Sequence, residues 1–104
     1  MLEELLDEIR HKGNSLVENR TVETLTEYKS MIKGFIDEAV SQGLKVDEHR
    51  GFSRSGRSRV VRTVKEVDKR LLELTNIILG QEKKQIRILE KIGQIQGLLV
   101  DLML

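Results

Sequence analysis

The stretch VVRTVKEVDKRLLELTNIILGQEKKQIRILEKIGQIQGLLVDLML, residues 60–104, decides the fold. One seam runs through Val60, Val67, Leu74, Gln81, Ile88, Ile95 and Leu102, and an interleaved seam through Val64, Leu71, Ile78, Gln85, Ile92 and Leu99. Apolar side chains three and four apart mark one face of a helix, and a heptad-like repeat of this kind resembles a coiled-coil seam. Gly80 invites a stop, yet the phase is the same on both sides of it. The reading therefore favours one helix over about 58–103, about 65 Å long, with a break near Gly80 into two antiparallel helices as the alternative. Leu72, Leu79, Ile86 and Val100 add a second stripe, so the helix needs more than one partner. A second copy of the chain is the simplest source of the missing cover. The expected oligomer seam is Val64, Leu71, Ile78, Gln81, Gln85, Ile88, Ile92, Ile95, Leu99 and Leu102, with a dimer favoured. Gln81 and Gln85 either set register there or stay wet where the bundle opens.

Working back towards the N-terminus, Leu2, Leu5, Leu6, Ile9, Leu16 and Val17 recur at helical spacing, predicting a helix over about 2–19. Glu3, Glu4, Asp7 and Glu8 sit in its first turns, where the helix dipole favours acids. Gly13 weakens it by about 1 kcal/mol relative to alanine. The apolar phase slips near Asn19-Arg20-Thr21, and Thr21 is a good N-cap, so a break belongs there. A second helix over about 22–42 carries Leu25, Tyr28, Ile32, Phe35, Ile36, Ala39 and Val40 and is expected to end at Gly43. Residues 44–57 lack a usable period and contain Gly51 and Gly56, which predicts a loop. The expected architecture is all-α: one domain over 1–104, a bundle of three to four helices with a long C-terminal helix.

Composition agrees. Proline is absent from the 104 residues, where average usage would give about five, so long helices are favoured. The only aromatics are Tyr28, Phe35 and Phe52, which leaves the core to Leu, Ile and Val. With no cysteine, disulfides, thiolate nucleophiles and thiolate metal sites are excluded. The N-terminus lacks the basic and apolar regions of a signal peptide. Apolar runs such as Leu98-Leu99-Val100 fall far short of the ~20 residues that span a bilayer. A cytoplasmic protein without membrane contact is expected.

Charge is unevenly spread. Residues 1–43 carry nine acidic and five basic side chains, net −4, whereas residues 44–62 carry six basic and two acidic, net +4. Lys45, Arg50, Phe52, Arg54, Arg57, Arg59 and Arg62 are the candidate partner-binding residues, because guanidinium forks pair with carboxylates or phosphates. A solvated loop balancing the acidic helices is the plainer reading. A nucleic-acid contact through the same arginines is the alternative, disfavoured by a sequence pI of about 8.0 against the ~9 or more of a dedicated binder.

Chemistry-bearing constellations are sparse. His11 and His49 have no ligand spacing, the Glu3/Asp7 and Glu4/Glu8 pairs read as a solvated face, and no nucleophile elbow or phosphate-binding glycine loop occurs. Gly93 and Gly97 form a small-xxx-small spacing that suits a close helix approach within a soluble bundle. No catalytic residue, metal or cofactor is assigned. The expected function is a non-catalytic interaction or scaffold protein, self-associating through its C-terminal helix and presenting the basic loop to a protein partner.

The run Ile88-Leu89-Glu90-Lys91-Ile92-Gly93-Gln94-Ile95-Gln96-Gly97-Leu98-Leu99-Val100-Asp101-Leu102, together with Arg20-Thr21 and Phe35-Ile36-Asp37-Glu38-Ala39-Val40, resembles the YaaR-like family of uncharacterised bacterial proteins. The resemblance covers nearly the whole chain. It implies a helical, cytoplasmic bacterial protein whose relatives carry a longer N-terminal extension, and it transfers no catalytic residue.

Overall fold

The computed structural model describes the backbone of residues 1–50, 54–80 and 85–103, and the side chains of 1–42, 58–80 and 85–103. Four helices follow one another: α1 (Leu2–Glu18), α2 (Val22–Arg50), α3 (Arg54–Leu79) and α4 (Gln85–Met103). The chain is an all-helical bundle.

The break at Asn19-Arg20-Thr21 is where the phase slip places it. Asn19 closes α1 with its N–H on the Ser15 carbonyl at 2.7 Å. Thr21 Oγ1 accepts the Thr24 N–H at 3.1 Å, satisfying one of the orphan amides at the start of α2. The tight turn lays α1 back along α2, and Lys12 Nζ reaches Glu27 Oε2 at 2.7 Å across the pair.

Two expectations are corrected. The first is the continuous C-terminal helix: α3 ends at Leu79, Gly80 N–H closes its last turn on the Asn76 carbonyl at 3.0 Å, and α4 runs back antiparallel to α3. Arg59 Nη1 donates to the Asp101 carbonyl at 3.5 Å and Lys91 Nζ to Glu73 Oε2 at 3.1 Å, contacts that only a fold-back allows. A straight helix of about 65 Å would also exceed the longest extent of the molecule, 48 Å. The preserved phase misled because each arm needs an apolar face of its own, so agreement across a turn is no evidence of continuity. A Cβ on Gly80 would stand 3.0 Å from the Asn76 carbonyl oxygen, so a close backbone approach favours glycine at this stop.

The second correction is the loop at 44–57. Helix α2 continues past Gly43 to Arg50 and α3 starts at Arg54, so the helical backbone takes in 44–50 and 54–57. No proline interrupts this stretch, and an isolated glycine costs a helix only about 1 kcal/mol. Phe52 lies outside the described residues.

All four helices contribute to one core. Leu6, Ile9, Leu16 and Val17 of α1 meet Leu25, Tyr28, Ile32 and Phe35 of α2, Val67, Leu74, Ile77 and Ile78 of α3, and Ile88, Ile92, Ile95 and Leu99 of α4. At Gly13, helix α1 packs against both α4 and α2. A Cβ there would lie 3.2 Å from Ile92 Cγ2 and 3.5 Å from Tyr28 Cε1, so the weakest helix former in α1 lets α2 and α4 close on it. Burial raises the Tyr28 phenol pKa, and its hydroxyl has no hydrogen-bond partner among the described residues; packing alone holds this ring.

A charged clamp joins α3 to α4. Lys91, only 8% exposed, pairs with Glu73, which also accepts from Arg70 Nη1 at 3.1 Å, while Arg70 Nη2 reaches Glu66 at 2.9 Å. A buried ammonium is costly unless paired. The hydrogen bond from Lys91, helped by the charges of Lys91 and Arg70 and opposed by desolvation, lowers the Glu73 carboxyl below its ordinary 4.5.

Two outcomes follow. Gly13→Val should lower unfolding stability by about 1–3 kcal/mol, whereas Gly34→Ala, where a Cβ meets nothing within 4 Å, should raise it by about 0.5–1 kcal/mol; urea midpoints moving in opposite directions check this. Because Glu73 titrates lower in the folded state than in the unfolded, its contribution is complete above the ordinary carboxylate pKa of 4.5 and is lost as pH falls through the lowered value. Glu73→Gln should therefore melt below the wild type at pH 7, and the gap in Tm should close on acidification towards pH ~3.

Candidate partner-binding surface

The basic residues occupy helix ends. Lys45 and Arg50 stand on the last turns of α2, Arg54 and Arg57 on the first turns of α3, and their side chains lie outside the described residues. Arg59 and Arg62 are exposed on α3, Arg62 Nε donating to the Ser58 carbonyl at 3.3 Å. The first turn of α3 has no acid to balance them. Arginines at the positive end of a helix dipole add to its field instead of cancelling it. In the last turns of α2 Lys45 and Arg50 are balanced by Asp47 and Glu48, so the net +4 of residues 44–62 comes from Arg54, Arg57, Arg59 and Arg62 at the start of α3.

Burial separates the seam from this end. Ile78, Ile88, Ile92, Ile95 and Leu99 are buried, and Val64, Leu71 and Leu102 are half-buried, all within one molecule. Gln85 is exposed, as the wet alternative has it, and Gln81 lies outside the described residues. The apolar residues assigned to an oligomer seam, from Leu71 to Leu102, thus pack into the inner face of the α3–α4 hairpin and its contact with α1 and α2. The second stripe is divided by the fold-back: Leu72 and Leu79 are exposed on α3, and Ile86 and Val100 on α4, joined by Val61 and Leu89. Gly93 and Gly97 also face outwards, and a Cβ on either meets nothing within 4 Å, so the expected close approach inside the bundle does not occur there.

The acidic face of α1 is solvated: Glu3, Glu4, Asp7 and Glu8 are exposed, Asp7 pairing with Arg10 at 3.5 Å. Among the described residues no three His, Cys, Asp or Glu side chains come together as metal ligands, and no helix is long and apolar enough to cross a membrane. The Lys91–Glu73 clamp was missed in the sequence. Its signal was a lysine on the core face of α4, one turn from Ile88 and Ile95.

Comparison with known proteins agrees with the fold. The family model described as a protein of unknown function, DUF327, matches residues 1–103. The chain is 40% identical over 101 residues to the uncharacterized protein YaaR of Bacillus subtilis (strain 168), covering 97% of this chain and 69% of that one. Among solved structures, the uncharacterized protein BH1478 from Bacillus halodurans superposes with a TM-score of 0.86 at 40% identity, over 97% of this chain and 82% of that chain. Protein TM1646 from Thermotoga maritima, also DUF327, gives 0.84 at 33% identity, over 98% and 83%. Whole-length agreement in sequence and in fold places this chain in the YaaR-like DUF327 family.

Proposed function

We propose that this chain is a non-catalytic helical interaction module of the cytoplasm that offers the basic start of α3 to an acidic protein partner. The observation that carries this reading is charge segregation: net +4 over residues 44–62 against net −4 over residues 1–43, with Arg59 and Arg62 exposed on α3. Concentrated like charge destabilises the helix end that bears it and speeds encounter with a complementary surface. Self-association through the C-terminal seam is not part of this reading, because Leu71, Leu74, Ile78, Ile88, Ile92, Ile95 and Leu99 already pack inside a single molecule.

The tagged chain, incubated with nuclease-treated lysate of its native cell, should capture a protein that Arg59→Glu/Arg62→Glu loses and Lys33→Glu, on exposed α2 surface, retains. Capture indifferent to the arginine reversal would refute the proposal. Binding that disappears with nuclease treatment, and whose affinity falls steeply between about 50 and 200 mM salt, would replace it with a nucleic-acid contact.

A further inference from the structure

Helix α4 has two faces. The inner one packs into the core, and the outer one carries Ile86, Leu89, Gly93, Gly97 and Val100, all exposed. Single apolar side chains on a surface are ordinary. These five stand in one line, because offsets of three and four residues return to the same side of a helix. No charged residue interrupts the line, in a chain whose residues are 34% charged. Ile86 is 74% exposed and Leu89 48%. On α3, by contrast, Lys65 and Asp68 fall between the exposed Val61 and Leu72 at the same spacing.

The order of the line says what covers it. Counted from Gly93, its members stand at −7, −4, 0, +4 and +7, a spacing that reads the same in both directions. A two-fold axis through Gly93 therefore lays the face antiparallel on its own copy, so that Ile86 meets Val100, Leu89 meets Gly97, and Gly93 meets Gly93. Leucine over glycine sets a projection against a gap. A Cβ on either glycine touches nothing within 4 Å in its own molecule, so the space above them is free.

Charge at the edge agrees. Successive helices fold back on one another, as a longest extent of 48 Å requires, so α1 runs antiparallel to α4. Gly13 lies beside Ile92 and Gln96, level with about residue 94 of α4. Arg10 is then level with about residue 97 and Glu18 with about residue 89, since both helices rise equally per residue. Both side chains are exposed, as is Asn14 between them. The axis that exchanges positions 89 and 97 brings Arg10 of each copy to Glu18 of the other and sets the neutral Asn14 against itself.

We infer that the outer face of α4 pairs two-fold with the same face of a second copy of this chain, antiparallel about Gly93 and edged by Arg10 and Glu18. The inference goes beyond the reading of the basic start of α3, which uses none of these residues. It also differs from the seam expected from the sequence, whose apolar members from Leu71 to Leu102 pack inside the molecule. A contact built on about 21 Å of one helix belongs among the smaller specific interfaces, below about 1,200 Å², so the pairing is weak and reversible.

The test is sedimentation equilibrium of the full chain up to about 0.5 mM, where a dissociation constant near ~0.1 mM gives a well-populated dimer. The wild type should dimerise. Leu89→Lys, checked for helicity by circular dichroism, should weaken the dimer at least about tenfold, and Leu72→Lys, at an exposed position of α3, should leave it unchanged. Arg10→Glu should weaken it severalfold and Arg10→Glu/Glu18→Arg restore it. Oxidation reads the register, because the chain has no cysteine of its own. Gly93→Cys should cross-link across the axis, within the ~7 Å that a disulfide requires, whereas Ile86→Cys, about 21 Å from its own copy, should not. A strict monomer at the highest concentration would overturn the inference and leave the face to a different protein. So would a dimer indifferent to Leu89→Lys, or cross-linking of Ile86→Cys as ready as that of Gly93→Cys, which marks parallel pairing.

Discussion

An apolar face stretching from Val60 to Leu102 cannot remain in water, and in this chain it is covered by folding back on itself at Gly80. Each buried aliphatic side chain contributes about 1.5–3 kcal/mol, and α3 and α4 together bury eight of them. That contribution is large against a typical net stability of about 5–15 kcal/mol, so the α3–α4 hairpin is the frame on which the rest is arranged. The α1–α2 hairpin then closes the remaining side, and Gly13 permits the approach by presenting no side chain to Ile92. Lys91 is tolerated in this interior because Glu73 meets it at 3.1 Å.

The same packing distinguishes the two ends of the molecule. At the end where α1 and α3 stop, Leu16, Leu25 and Ile78 are buried while Val22, Leu79 and Ile86 are exposed. At the opposite end Leu2, Ala39, Leu102 and Met103 are half-buried, and the first turns of α3 bring Arg54, Arg57, Arg59 and Arg62.

Much of this was legible in the residues. The stripes of α1 and α2 were read from spacing, the turn at Asn19-Arg20-Thr21 from a slip in phase, and its cap from Thr21, because each is a local signal acting over one or two turns. The fold-back at Gly80 was not, since periodicity reports which face of a helix is apolar and says nothing about what covers it. Nor was the helical state of 44–50 and 54–57, where weak propensities leave the outcome to context. The basic residues were found by charge alone, but their place on the ends of two helices, with Arg54 and Arg57 in the first turns of α3, emerges only from the assembled fold.

The claim beneath the whole account is that α3 and α4 lie side by side in one molecule. Spin labels at Lys65 and Gly97, both on exposed surface, diluted into unlabelled protein, report on it directly by double electron–electron resonance. The hairpin predicts a separation under about 25 Å, two adjacent helices at 8–10 Å plus the label arms. A distance near 48 Å, that of 32 residues along one continuous helix at about 1.5 Å each, would contradict it.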